Sequence, residues 1–189
     1  MKIQKYVSVL LIILLVFLVF LWNSERKEVR EHEFRELMGL HTRLLELYYN
    51  INQLSETLDM HNGDLSGREL QFFQMAVKHQ IADLNRLGTR FNTINIDETG
   101  TLVEDIMNII GDTVTVLSTI SDQKADQTMI DNTKKLLSGT SNRMGDLFFT
   151  IETGQITTPD FQQKVHDLSE DARKEIKSIS KWNYCGSQM

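Results

Sequence analysis

The run Tyr6–Trp22, YVSVLLIILLVFLVFLW, constrains this chain more than any other stretch. It contains no charge, no Gly and no Pro. As a helix its 17 residues rise about 26 Å, close to the roughly 30 Å hydrocarbon core of a bilayer. Leu, Ile, Val and Phe insert favourably, and Tyr6 and Trp22 suit the two interfaces. The sequence therefore predicts one transmembrane helix. Lys2 and Lys5 precede it, but the apolar run is longer than a signal-peptide core. The next residues, NSERKEVREHE, offer no small-x-small cleavage site, so the run reads as an uncleaved signal-anchor. Counting Lys and Arg alone favours the C-side as cytoplasmic, through Arg26, Lys27, Arg30 and Arg35. Against this, a five-residue cationic tail is a poor candidate for translocation. The expected orientation puts the N-terminus in the cytoplasm and the remainder outside, periplasmic or extracellular.

Beyond the anchor the chain is patterned as helix throughout. Leu37, Leu40, Leu44, Leu47, Ile51, Leu54 and Leu58 step by alternating threes and fours, a heptad that signals helix-on-helix packing. Phe34, Met38, Leu45 and Tyr48 widen this stripe, which favours burial among several helices. Nothing interrupts the path from the anchor into it, so one helix can hold both. His61-Asn62-Gly63-Asp64 is a turn signal. Ser66 and Glu69 then form a capping-box spacing, ahead of a stripe through Leu70, Phe73, Val77, Gln80, Leu84, Leu87, Phe91 and Ile94.

The segment 95–100 reads as a second turn, and Thr101 and Glu104 repeat the capping-box spacing. A third stripe runs Val103, Ile106, Ile110, Thr113, Leu117, Ile120. A fourth runs Ile130, Thr133, Leu137, Thr140, Met144, Leu147, Ile151. The two are out of phase by one residue, which places a turn near 122–126; one continuous helix over 101–151 is the alternative. Gly154 closes the fourth helix. Thr158-Pro159-Asp160 opens a fifth, with Thr as N-cap and Pro at the first helical position. Its stripe is Phe161, Val165, Leu168, Ala172, Ile176 and Ile179.

The predicted fold is all-α: an N-terminal transmembrane helix followed by an antiparallel bundle of four to five helices with coiled-coil-like packing. The expected divisions are a short tail (1–5), the anchor (6–22), the bundle (23–183) and a disordered tail (184–189). With 41% apolar and 24% charged residues, the composition is that of a globular domain.

Chemistry-bearing motifs are lacking. The net charge of −6, with no basic run past residue 30, argues against nucleic acid. The single cysteine, Cys185, excludes an intramolecular disulfide and a zinc cluster. No Glu precedes any of the five histidines by three residues, so the usual di-iron pattern of helical bundles is missing. The pairs His32/Glu36, His79/Asp83 and His166/Glu170 read as surface ion pairs. No nucleophile elbow, P-loop or dinucleotide motif occurs. The sequence thus predicts no catalytic residue, no cofactor and no metal.

Six residues stand out as a candidate ligand groove or set of partner contacts. Gln80, Thr113, Thr133 and Thr140 are polar members of apolar stripes. Their plain reading is hydroxyls bonded to the preceding turn and an amide at a stripe edge. Tyr48 and Tyr49 are adjacent, so both cannot face one core, and one is left as a contact residue. In outline, the anchor and first four helices resemble the membrane-tethered helical sensor regions of chemoreceptors. No specific motif carries that likeness, and the sequence shows neither a second membrane helix nor a signalling part.

The function expected from the sequence is a membrane-anchored, non-enzymatic helical interaction or scaffold module. Its partners would be the lipid bilayer and another membrane-associated protein, with a homodimer through the first helix as a special case. The alternative is a small-molecule sensory bundle coupled to a separate signalling partner.

Overall fold

The computed structural model describes residues 2–59, 67–94, 99–122 and 127–186, with side chains within 14–59, 67–94, 99–121 and 127–179. The turn signals at 61–64 and 123–126, residues 95–98 of the second turn, and Ser66 of the first capping box lie outside these residues. The described chain is all-helical: α1 (Lys2–Asp59), α2 (Arg68–Phe91), α3 (Leu102–Asp122), α4 (Gln127–Phe148) and α5 (Pro159–Gly186), with a 3-10 turn at Thr153–Gln155. Residues 101–151 therefore make two helices rather than one.

The heptad of α1 is the spine of the core. Leu40, Leu44, Leu47, Ile51, Leu54 and Leu58 are all fully buried. The other helices bury the stripes their sequences lay out: Phe73 to Phe91 on α2, Ile106 to Ile120 on α3, Ile130 to Met144 on α4 and Phe161 to Ile179 on α5. The helix ends depart from the sequence signals at several points. α2 is capped by Gly67, at φ 58°, with no side-chain cap bond, so the start falls one residue after Ser66. α4 stops at Phe148, before Gly154, because the chain passes through the 3-10 turn. α5 begins at Pro159 as expected, yet the Thr158 hydroxyl donates back to the Gln155 carbonyl at 2.6 Å. α5 also continues past residue 183 to Gly186, into the stretch expected to be a disordered tail.

Each helix packs chiefly on two others, in the cyclic order α1, α2, α3, α5, α4. The expectation of an antiparallel bundle holds for four of the five contacts. α1 and α2 run antiparallel, as Gln80 meets Thr57 while Arg90 meets Glu46. α1 and α4 do likewise, with Lys134 paired to Asp59 and Ser141 bonded to Asn52. α3 and α5 run parallel: Asp105 faces His166, and Asp112 faces Arg173 a further two turns along both helices. Five alternating helices closed into a ring cannot all be antiparallel to their neighbours, so one parallel contact is forced. The helix α5 fills the place between α3 and α4.

The fold corrects the expectation of a membrane span. Among the described residues no helix is long and apolar enough to cross a membrane. The side chains of Leu14–Trp22 are exposed, and Glu25, Arg26, Lys27 and Glu28 follow them. A single-pass membrane location with the bundle held outside the cell therefore has no support in the fold. Side chains from Leu14 to Glu36 are exposed, and full burial begins at Leu40.

Candidate functional site

Two donors on α1 close the lower end of the bundle. His41 Nε2 donates to the Phe148 carbonyl at 3.0 Å, and Arg43 Nη1 donates to the Arg90 carbonyl at 2.7 Å. Both carbonyls belong to last turns, where a helix leaves acceptors without intrahelical partners. These bonds lock the ends of α4 and α2 on either side of α1, at the level of residues 41–49. The Arg90 guanidinium returns the contact by donating to both Glu46 carboxylate oxygens at 2.6 Å.

This arrangement exposes an aromatic cluster. Tyr48 packs on α4 at Gly145, which has no side chain to hold it off; a Cβ there would lie 3.2 Å from the ring. Phe149 follows the end of α4 and meets Tyr48 edge-on, with centroids 5.0 Å apart. Tyr49 stands 5.1 Å from Tyr48 and 6.1 Å from Phe149, again edge-on. Edge-to-face contacts satisfy the quadrupoles of the rings. Tyr48 is half-buried, whereas Tyr49 and Phe149 are 58% and 54% exposed. The Tyr48–Tyr49 pair is thus divided as its adjacency predicts. Sequence spacing does not single out Phe149, since it lies a hundred residues away and outside the α4 stripe. The doublet Phe148-Phe149 is the signal that could have found it: as with the tyrosines, one ring is buried and the next exposed.

Phe34 and Met38 do not widen the buried face as their spacing suggests; each is 52% exposed. They continue the aromatic cluster down the outer face of α1, through Leu45 and Thr42. That face lies between the side that meets α2, through Arg43 and Glu46, and the side that meets α4, through Tyr48 and Asn52.

The polar stripe residues make separate hydrogen-bond arrangements. Gln80 donates to Thr57 Oγ1 at 2.7 Å, and Thr57 donates onward to the Gln53 carbonyl at 2.9 Å. Thr113, Thr133 and Thr140 are buried on α3 and α4. No hydrogen bond among the described residues links any of the four to another. Gln80 Oε1 and Thr133 Oγ1 are buried without a hydrogen-bond partner among those residues. A groove of about 400 Å³ lies between His32, Arg35, Gly39, Arg43 and Ile94, and none of the four lines it.

The histidine pairs divide. His32 sits 3.7 Å from Glu36 and His79 3.5 Å from Asp83 along their own helices, as their spacing implies. His166 turns instead to α3, where Nδ1 lies 3.0 Å from Asp105 Oδ1. That bond, with the Asp105 charge, raises the imidazole pKa above its usual value of 6.5. Among the described residues no group of three His, Cys, Asp or Glu side chains is placed to hold a metal ion. The chain matches no protein-family model, and no curated protein or solved structure matches it.

Proposed function

We propose that this chain is a non-enzymatic helical interaction module that works through protein–protein contacts on the outer face of α1. The observation that carries the reading is the Tyr48–Tyr49–Phe149 cluster. Interfaces concentrate their energy in aromatic anchors on rigid supports. This cluster is held by two helices, and the ends of α4 and α2 are tied to α1 through His41 and Arg43. Two of its rings face solvent next to further exposed apolar side chains, the pattern that marks interaction sites on monomer surfaces. The alternative of a sensory bundle needs a partly polar cavity. No hydrogen bond among the described residues joins Gln80, Thr113, Thr133 and Thr140, so no observation favours it over the interaction module.

The experiment is site-specific photocrosslinking in cells, with a photoreactive phenylalanine analogue at Tyr49 and, as a control, at the exposed α4 position Asn132. Discrete crosslinked products at Tyr49, missing from the control, support the module. No product at Tyr49 overturns it.

A further inference from the structure

We infer that the partner on this face is a second copy of the chain, docked antiparallel through α1 about a two-fold axis near Thr42. The inference rests on the interaction reading above and names the partner. Phe34, Met38, Thr42, Leu45 and Tyr49 step by 4, 4, 3 and 4, so they share one face of α1. Phe34, Met38, Thr42 and Tyr49 are exposed and Leu45 is partly so. Their order is close to symmetric. Phe34 and Tyr49 lie equally far from the midpoint between His41 and Thr42, and so do Met38 and Leu45. A two-fold axis through that turn sets Phe34 of each copy against Tyr49 of the other, and Met38 against Leu45. Thr42, the smallest of the five, falls at the axis, where two helices approach most closely. A two-fold contact requires such a self-complementary patch.

Charge selects the direction. Lys27 and Glu56 lie on this same face, again equidistant from the midpoint. Among the described residues Lys27 has only a long 3.8 Å contact to Glu31, with both side chains mostly exposed. Glu56 accepts a bond from Asn52 and has no ion pair to a cation among the described residues. Antiparallel docking places Lys27 of one copy opposite Glu56 of the other, twice. Parallel docking in register would oppose Lys27 to Lys27 and Glu56 to Glu56, which is repulsive. The contact from Lys27 to Glu56 spans about 44 Å of helix. Bulk does not obstruct it, because α2 and α4 end at the level of residues 41–46. Below that level Thr93 and Ile94 flank α1 on the side of His32, Glu36 and Arg43. The exposed lower part of α1 in each copy therefore lies along the bundle of the other. Phe34 joins the partner's edge-on cluster, where Phe149 flanks Tyr49.

The test uses the full chain with Cys185→Ser as background. Under mild oxidation Thr42→Cys is expected to form a disulfide-linked dimer. Lys27→Cys mixed with Glu56→Cys is expected to give a mixed dimer, while neither yields one alone. Lys27→Glu and Glu56→Lys, each with unchanged circular dichroism, are expected to raise the dimer dissociation constant about fivefold or more. The double variant restores it, because attraction returns with reversed sign. Lys27→Cys or Glu56→Cys linking to itself would overturn the antiparallel arrangement. A chain that stays monomeric, while the Tyr49 photocrosslinker captures a different protein, would overturn the self-docking and leave the interaction module standing. No crosslink of any kind at Tyr49 would remove both.

Discussion

His166 Nδ1 and Asp105 Oδ1 meet at 3.0 Å across the parallel contact of α3 and α5. The imidazole is half-exposed, the carboxylate is almost wholly buried, and the second carboxylate oxygen, Oδ2, has no hydrogen-bond partner among the described residues. A buried carboxylate is costly unless a charge or donors compensate it. The imidazolium supplies that compensation, chiefly through its hydrogen bond and then through charge, and its pKa rises above 6.5.

A group whose folded pKa is raised stabilises the fold fully below its unfolded pKa, and that contribution fades as pH rises through the folded value. The melting temperature of the native chain should therefore fall, relative to His166→Gln, as pH rises from about 6.5 through the raised folded-state value. NMR titration of the His166 ring should give a midpoint above 6.5. A difference between the two proteins that does not vary with pH would refute the linkage.

The buried amide of Gln80 invites a second measurement. Its Nε2 is bonded to Thr57, but its Oε1 has no partner among the described residues. Gln80→Leu removes the unpaired oxygen while filling similar volume, and Thr57 keeps its bond to the Gln53 carbonyl. Urea unfolding should place this variant within about 1 kcal/mol of the native chain, on the stable side. Gln80→Ala, which also opens a cavity, should cost about 2 kcal/mol. A large loss in Gln80→Leu would show that the amide does more than fill the interface of α1 and α2.

Opposite faces of α1 should respond differently to truncation. Leu47 is fully buried, and Leu47→Ala should cost about 2–5 kcal/mol in unfolding free energy. Met38, on the outer face of the same helix, should change the stability of the monomer by less than about 0.5 kcal/mol on conversion to Ala. Equal losses at the two positions would contradict the assignment of the faces.

Glycines of α4 separate helix propensity from packing. A Cβ at Gly139 meets nothing within 4 Å, so Gly139→Ala should stabilise by up to about 1 kcal/mol. A Cβ at Gly145 would come within 3.2 Å of the Tyr48 ring. The ring must shift, so Gly145→Ala should gain less than Gly139→Ala in thermal unfolding. It should also move the Tyr48 and Phe149 ring resonances, which Gly139→Ala leaves in place.

The sequence determined which residues enter the core. Hydrophobic period fixes the buried face of a helix wherever that face is packed, and the stripes of α2 to α5 are buried almost residue for residue. The start of α5 was legible for a similarly local reason, since Pro is at home in the first turn of a helix. The apolar run Tyr6–Trp22 is equally plain as a pattern, but among the described residues no helix carries a stretch long and apolar enough to span a bilayer.

Tertiary structure alone decided three further features. The neighbours of each helix could not be read, because period says which face is buried and not against what; hence the parallel contact of α3 and α5 and the pairing of His166 with Asp105 rather than Glu170. How far along α1 the bundle reaches is set by where α2 and α4 end, and this leaves Phe34 and Met38 outside the core although their spacing resembles that of core residues. Finally, the cluster of Tyr48, Tyr49 and Phe149 joins residues a hundred positions apart. Local spacing carries no information about such a meeting; it exists because Gly145 leaves room for Tyr48 where α4 crosses α1.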